Sequence, residues 1–280
     1  MTTGTLPRRT TTARPPLPST LRSGVLRGGA ELRMFFRSKE AVLFTFSFPA
    51  IILLLLGSIN SGEATEGVPM SRVLTASMIA YGILSTAFIN IGVGIAADRE
   101  DGSLKRLRGT PVTAGAYFTG KVILVAVATV AEVAVLLAVG VLAFDLDLPT
   151  EPGKWLTFAW VLALSVIACT LLGIAASALT RSARSAGAVL NVPVLALQFI
   201  SGVFVYVGSL PKAMVDVAAF FPVRWMAQSF RAVFLPDSMA AGEVAGTWQL
   251  GTAALVLGAW CVVGTVLCLL TFRWTDRRAG

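Results

Sequence analysis

The chain has 280 residues, of which 55% are hydrophobic and only 14% are charged, and its formal net charge is +8. Its mean hydropathy of +0.77 and its long apolar runs exclude an ordinary water-soluble domain and predict an integral membrane protein. Because the basic residues lie at the ends of the apolar runs, the positive charge points to a membrane, and no nucleic-acid partner is expected.

Residue types that carry most metal and nucleophile chemistry are scarce. The sequence has no histidine, and its three cysteines (Cys169, Cys261 and Cys268) all lie inside apolar segments. No zinc site, histidine-based triad or disulfide framework can be assembled from that inventory. We therefore expect neither a metal site nor a catalytic site in this chain.

The first 40 residues fall into two parts. Residues 1–19 are rich in threonine, proline and arginine and lack apolar periodicity, which is typical of a disordered tail. Residues 20–40 mix apolar and basic side chains and predict an amphipathic helix lying in the headgroup plane. The apolar positions are Leu21, Val25, Leu26, Leu32, Phe35 and Phe36, and the basic ones are Arg22, Arg27, Arg33, Arg37 and Lys39.

Residues 41–280 form a third region with six apolar segments of the roughly 20 residues that a spanning helix needs. The predicted spans are 41–59, 73–97, 122–144, 155–179, 189–207 and 250–272. Most of the 23 lysines and arginines lie in segments that this order places on the same side as both termini. The distribution predicts a multi-pass protein of the plasma membrane with both termini in the cytoplasm.

The segment 208–249 is too broken to span and too apolar for an ordinary loop. Prolines divide it into two pieces, near 212–221 and 223–235, each with an apolar face. We expect Arg224, Trp225 and Arg231 to anchor these pieces at the membrane interface, as a lid on the outer side.

Glu132 lies near the middle of the third predicted span. A charged side chain there costs roughly 2.5–3.5 kcal/mol on insertion scales, so it should face the bundle interior or be protonated. Three roles are open for it: a substrate contact, a proton carrier, or an interhelical hydrogen bond.

Other polar side chains repeat on single faces of the second and fifth spans. They either line a substrate pathway or hold the spans together through hydrogen bonds worth about 0.6 kcal/mol each. These candidates are Ser77, Tyr81 and Ser85 on one face of the second span, with Asn90 further along that span, and Asn191 and Gln198 on one face of the fifth.

Residues 98–121 are the most strongly charged segment between two apolar runs. Acids come first and bases follow, an order that favours a helix through its macrodipole. Leu104 and Leu107 give this helix an apolar edge, and Thr110-Pro111 ends it because a residue before proline leaves the helical region. On physical grounds alone, the segment is either a working surface helix or a charged loop that only sets topology.

The same segment resembles the loop between the second and third spans of ABC-type exporter permeases of the type-2 family. That loop reads Glu-x-Gly-(Thr/Ser)-Leu-x-x-Leu-x-x-(Thr/Leu)-Pro-Val and ends in Tyr-x-x-Gly-Lys, and the order of spans is also similar. The matching residues are Glu100, Gly102, Ser103, Leu104, Leu107, Thr110, Pro111, Val112, Tyr117, Gly120 and Lys121.

The resemblance implies that this segment is a cytoplasmic coupling helix held in a groove of a separate ABC ATPase subunit. Polar contacts would come from Glu100 and the basic cluster, while Leu104 and Leu107 would fill the groove. The implied coupling set is Glu100, Gly102, Ser103, Leu104, Lys105, Arg106, Leu107, Arg108, Thr110 and Pro111.

The resemblance implies several further features. The N-terminal helix would lie against the ATPase, or merely on the membrane surface, and 208–249 would form a re-entrant helical hairpin. A second permease copy, identical or related, would face this one, with the substrate route between the second and fifth spans. The chain would bind no cofactor, since ATP and Mg would sit on the partner ATPase.

We therefore expect an all-α integral membrane protein that serves as the permease subunit of an ATP-driven exporter. Its cargo would be a small amphiphilic compound such as a drug or antibiotic, with resistance as a consequence. A lipid-linked glycan is an alternative cargo. A proton-coupled secondary transporter using Glu132 and a membrane scaffold that moves nothing are alternative functions.

Overall fold

The computed structural model describes residues 19–60, 62–65, 67–109, 113–180, 182–205 and 207–271. Within them, six helices are long and apolar enough to cross a membrane, and the only strands are two short ones. The spans are Lys39–Ile59, Met70–Glu100, Gly115–Phe144, Pro152–Ser177, Ala183–Ile200 and Leu250–Thr271. The predicted all-α fold with six spans is confirmed, whereas the predicted tail lies outside the described residues apart from Ser19.

Eleven α-helices are found in the described part of the chain. They are α1 (Thr20–Arg37), α2 (Lys39–Ile59), α3 (Met70–Ile83), α4 (Ile91–Glu100), α5 (Ser103–Arg108), α6 (Ala114–Phe144), α7 (Pro152–Ser177), α8 (Ala183–Ile200), α9 (Lys212–Ala218), α10 (Pro222–Phe234) and α11 (Leu250–Thr271). The strands β1 (Glu63–Thr65) and β2 (Val68–Pro69) pair antiparallel between the first two spans. We call the end of the bundle that carries α5 the α5 end, and the other the α10 end.

Helix α1 begins and ends at serines. Ser19 caps it by accepting a hydrogen bond from the N–H of Arg22, and Ser38 caps the following α2 through the N–H of Ala41. Its glycine face packs on the start of α6, where a Cβ at Gly24 or Gly28 would clash with α6 side chains. The predicted amphipathic helix is present, and its position in the headgroup plane stays a prediction.

The second span is a single helix of 31 residues with an irregular middle. A π-helical segment, Leu84–Asn90, separates α3 from α4. A π-helix bonds residue i to residue i+5 and is rare, occurring most often near functional sites. The sequence pattern does not reveal it.

Two span boundaries differ from the predicted ones. The helix of the third span, α6, begins at Ala114 rather than at 122, because Thr113 caps it and Lys121 has buried ion-pair partners within the bundle. The fifth runs from Ala183 to Ile200 rather than from 189 to 207, because Ser182 caps its start and Gly202 takes a left-handed conformation (φ +76°) just after its end.

The two short helices before the last span, α9 and α10, are present as predicted. Arg224, Trp225 and Arg231 are nevertheless buried, so their prediction as interfacial anchors is wrong. The reason is that α10 packs against α3, α7 and α11, and every one of its residues is buried. Arg224 instead donates to the carbonyl of Val215, and the Trp225 indole donates to that of Ala219.

Candidate coupling helix and transport cavity

The short helix α5 is set up by the two residues before it. Gly102 takes a left-handed conformation (φ +75°), which glycine adopts at little cost. The carboxylate of Asp101 accepts a hydrogen bond from the N–H of Ser103 at 2.8 Å. This backbone hydrogen bond, with smaller contributions from the Ser103 side chain and from Arg106, holds the pKa of Asp101 below its usual value.

The surface of α5 is basic rather than apolar. Lys105 and Arg106 are exposed, whereas Leu104 is only 1% exposed and packs in the core. The prediction that Leu104 fills a groove on a partner is therefore wrong, because its side chain points into this chain. Of the other predicted coupling residues, Arg108 is the last residue of α5, and Thr110 and Pro111 lie outside the described residues.

The residues leading into α5 are fastened to the fourth and fifth spans. Arg99 donates to the carbonyls of Ser177 and Thr180, at 3.0 and 3.3 Å. Glu100 accepts a hydrogen bond from the N–H of Ala183 at 2.8 Å, at the first turn of α8. Since a carboxylate stabilises a helix N-terminus, Glu100 has an intramolecular role that the sequence did not suggest.

A buried ionic cluster joins α1, α4 and α6 just behind α5. The ammonium of Lys121 lies 2.9 Å from a carboxylate oxygen of Glu31 and 2.8 Å from one of Asp98. Arg27 pairs with Glu31 at 3.0 Å, and the Tyr117 hydroxyl donates to Asp98 at 2.8 Å. This cluster was not predicted from the sequence, although Glu31 is the sole acid in α1, an otherwise basic helix, and that is the signal that could have indicated a buried partner.

Most of the predicted pathway residues meet in one cavity of about 540 Å³ between the first, second and fifth spans. Its polar lining consists of hydroxyls and amides, and no charged side chain among the described residues lines it. The predicted residues on its wall are Tyr81, Ser85, Asn90, Asn191 and Gln198. Thr45 and the aromatic residues Phe44, Phe48 and Phe204 also line it, together with aliphatic side chains such as Val192. They were not predicted from the sequence because they resemble ordinary lipid-facing residues.

A second cavity of about 760 Å³ continues from the first toward the α5 end. The two share five lining residues, so together they form one open passage. The shared residues are Phe44, Thr45, Ile89, Asn90 and Asn191. At its far end the second cavity reaches Glu31, Asp98 and Lys121 of the ionic cluster.

Two predicted pathway residues lie away from the first cavity. Ser77 accepts a hydrogen bond from the buried guanidinium of Arg231 at 3.0 Å. Glu132 is completely buried behind the second span, where Thr86 donates to its Oε2. Its Oε1 has no hydrogen-bond partner among the described residues. The part of the chain that the structure describes holds no cluster of acids, cysteines or histidines suited to a metal ion.

These features define a polytopic helical membrane protein with a basic surface helix at one end and a passage lined mainly by apolar and aromatic side chains with a few hydroxyl and amide groups, whose charged residues lie toward the α5 end. A family model described as ABC-2 type transporter matches residues 29–235, and the chain belongs to that family. It is thus the transmembrane permease component of an ABC-type transporter, and permease domains of this family work with an ABC ATPase. A comparison with curated protein sequences finds no match.

Proposed function

We propose that the chain is the permease of an ATP-driven exporter for small amphiphilic compounds of the drug or antibiotic type. The observation that carries the proposal is the first cavity of the passage, which combines aromatic side chains with a few hydroxyl and amide groups and has no charged side chain among its described lining residues. Ligand pockets of this composition suit apolar molecules that carry a small number of hydrogen-bonding groups.

The charge of the lining also bears on which of the two candidate cargoes the passage favours. A lipid-linked glycan carries a diphosphate, for which basic side chains are the usual partners. Lys121 is the one described basic residue on the passage, and two carboxylates already neutralise it. A compact, weakly polar cargo therefore fits the passage better than a glycan.

The α5 end is proposed to face the cytoplasm of the cell whose plasma membrane holds the protein. Exposed bases concentrate there, including Arg33, Arg37, Lys105, Arg106 and Arg184. By the positive-inside rule, such a concentration favours a cytoplasmic location for the α5 end. Both chain termini would then be cytoplasmic.

In the proposed mechanism, ATP binding closes the partner's nucleotide-binding units and displaces α5. The second span leads directly into α5, and Glu100 at its end bonds to the start of the fifth span, so the displacement reaches two walls of the passage. ATP can drive this change only by binding one arrangement better than the other. A second permease copy, identical or related, would cover the open side of the passage, where Asn90 and Asn191 are exposed.

Reversing the charge of α5 is expected to release the ATPase. In the Lys105→Glu/Arg106→Glu double variant, capture of the ATPase from native membranes should fall at least about tenfold, since like charges replace exposed complementary ones. The measurement is quantitative mass spectrometry of ATPase that co-purifies with the tagged chain. Lys212→Glu, an exposed position on α9 at the α10 end, is the matched control; equal capture by both variants would rule out α5 as the docking helix.

Gln198 offers a test of the passage. Gln198→Met keeps the volume of this buried wall residue but removes its hydrogen bonding, worth about 1.4 kcal/mol, or tenfold in affinity. In proteoliposomes with the ATPase, half-maximal transport of Nile red, an uncharged amphiphile, should require about tenfold more substrate. Val192→Ala shortens another side chain of the cavity wall and should raise the substrate concentration for half-maximal transport only about twofold. If both variants raised this concentration equally, the cargo would bind elsewhere.

One observation favours a second candidate, proton-coupled transport through Glu132, because this carboxyl is buried without an ion-pair partner among the described residues. The energy source separates the two candidates. Transport driven by ATP continues in a protonophore as long as ATP remains, whereas proton-coupled transport stops.

A further inference from the structure

The π-helical segment explains why three residues of the second span face one cavity. From Tyr81 to Asn90 there are nine residues, and at about 100° each an α-helix would place them on opposite faces. Both nevertheless line the same cavity, together with Ser85. Ser85 and Asn90 are five residues apart within Leu84–Asn90, and a π-helix brings residues i and i+5 together. The π register is thus what turns Asn90 into the passage.

On one side, the third span holds this segment through a hydrogen bond. Thr86 lies within the π-helical segment, and its hydroxyl donates to Oε2 of Glu132. Gly82, one turn earlier, lets α6 approach, because a Cβ there would lie 3.0 Å from the carboxyl carbon of Glu132. The carboxyl group is therefore seated directly against the start of the irregular region.

On the other side, the fourth span presses against the same segment through glycines. A Cβ on Gly173 would lie only 2.5 Å from the carbonyl oxygen of Phe88, a π-segment residue. A Cβ on Gly92, just past the segment, would lie 3.1 Å from the carbonyl oxygen of Gly173. The second span is thus clamped at its irregular point between a polar contact and a close backbone contact.

We propose that Glu132 and Thr86 are positioning residues that hold the π register and thereby present Asn90 to the cargo. This inference rests on the proposed function in one respect, that the cavity is the cargo's route. Glu132 itself does not line the cavity; it acts through Thr86.

Release of this contact has a defined geometric consequence. Recovery of an α-helical register removes one residue from the turn, so the chain beyond it rotates by about 100°. Asn90 then leaves the passage, and α4 rotates with the α5 helix that follows it. The same element therefore links α5 to the polar lining of the passage.

The contact needs a hydrogen bond but no charge. A carboxylate that stays ionised at this depth costs several kcal/mol, and no cation pairs with Glu132 among the described residues. A glutamine has the same shape and also hydrogen-bonds to a hydroxyl. Glu132→Gln should therefore preserve the register, whereas Glu132→Leu and Thr86→Val should lose it.

The test is a pair of cross-links in the full-length chain, with its native cysteines replaced. Thr45→Cys/Asn90→Cys reports the π register, because the Asn90 amide lies 3.4 Å from the Thr45 hydroxyl across the passage. Thr75→Cys/Gly140→Cys is the matched control above the segment, where the two Cβ atoms would lie 3.4 Å apart, close to disulfide range. A short bifunctional thiol reagent and mass spectrometry give the yield of each.

The 45–90 yield is expected to fall at least about tenfold with Glu132→Leu and with Thr86→Val, and to stay within about twofold with Glu132→Gln. The 75–140 yield should be unchanged in all three. If the 45–90 yield were undiminished in both Glu132→Leu and Thr86→Val, the proposal would be overturned. A parallel loss of both cross-links would also overturn it, because that result would indicate general loosening of the bundle. Because no cargo is involved, failure here is distinct from failure of the proposed export function.

Discussion

Replacing Lys121 by methionine is expected to lower the free energy of unfolding by roughly 3–5 kcal/mol, the usual cost of removing one partner from a buried ion pair. Lys121 is the shared cation of two carboxylates, Glu31 and Asp98, and its side chain is only 6% exposed. Its removal leaves two like charges close together in the bundle, with Arg27 alone to compensate Glu31. The effect should appear as a lower thermal unfolding temperature of the detergent-purified protein, followed by tryptophan fluorescence.

Two further variants separate the ion pair from a general effect of lost charge. Arg33→Met removes an exposed cation from α1, the helix that carries Glu31, and should change stability by less than about 1 kcal/mol. Adding Glu31→Gln to Lys121→Met should recover part of the loss, because one of the two orphaned carboxylates is then gone. If Lys121→Met and Arg33→Met had equal effects, the cluster would have no part in holding α1 to α6.

The six spans were predictable because length and apolarity alone decide whether a helix crosses a bilayer. The ends of the spans were harder to predict, because helix capping and ion pairing depend on single residues. Lys121 was predicted to lie in the polar loop, yet it lies inside α6. It can be buried there because Glu31, which lies 90 residues earlier in the sequence, neutralises its charge. No local pattern contains that information.

The candidate site was predictable to the extent that helical periodicity holds. Asn191 and Gln198 share a face of a regular helix, as their spacing predicts, and Tyr81 and Ser85 do likewise. Asn90 joins them only through the π-helical segment, which a count of 100° per residue does not anticipate.

The coupling helix illustrates another limit. An apolar edge such as Leu104 fits equally well into a partner's groove and into the helix's own bundle, and the sequence does not distinguish the two. Here Leu104 is buried in its own chain, whereas Lys105 and Arg106 of the same helix are exposed. The predicted basic surface and the misassigned leucine thus come from the same short pattern.

The second large effect is expected at Arg231, near the α10 end. Arg231 is 1% exposed, and its Nε donates to a carboxylate oxygen of Glu243 at 2.6 Å. Its Nη1 donates to Ser77 in the second span and to the carbonyl of Gly202 after the fifth, both at 3.0 Å. One side chain thus fastens α10 to both walls of the passage and to the segment before the last span.

Arg231→Met is expected to cost roughly 3–5 kcal/mol, because it leaves Glu243 buried and unpaired and removes two further hydrogen bonds. The double variant Arg231→Met/Glu243→Met should be more stable than Arg231→Met alone, since no buried charge remains in it. Arg72→Met is the matched control: its partner Asp147 is 85% exposed, so its loss should cost no more than about 1 kcal/mol.

The order of the three stabilities in thermal unfolding decides what Arg231 does. If the ion pair fixes the α9–α10 hairpin, Arg231→Met is the least stable, the double variant is intermediate and Arg72→Met is close to the unmodified chain. The guanidinium also has a nitrogen, and Glu243 an oxygen, without a hydrogen-bond partner among the described residues. This imperfect pairing predicts substantial recovery in the double variant, because apolar side chains pack there without leaving polar atoms unsatisfied. A double variant no more stable than Arg231→Met would show instead that the bonds to Ser77 and Gly202, rather than the ion pair, hold the hairpin.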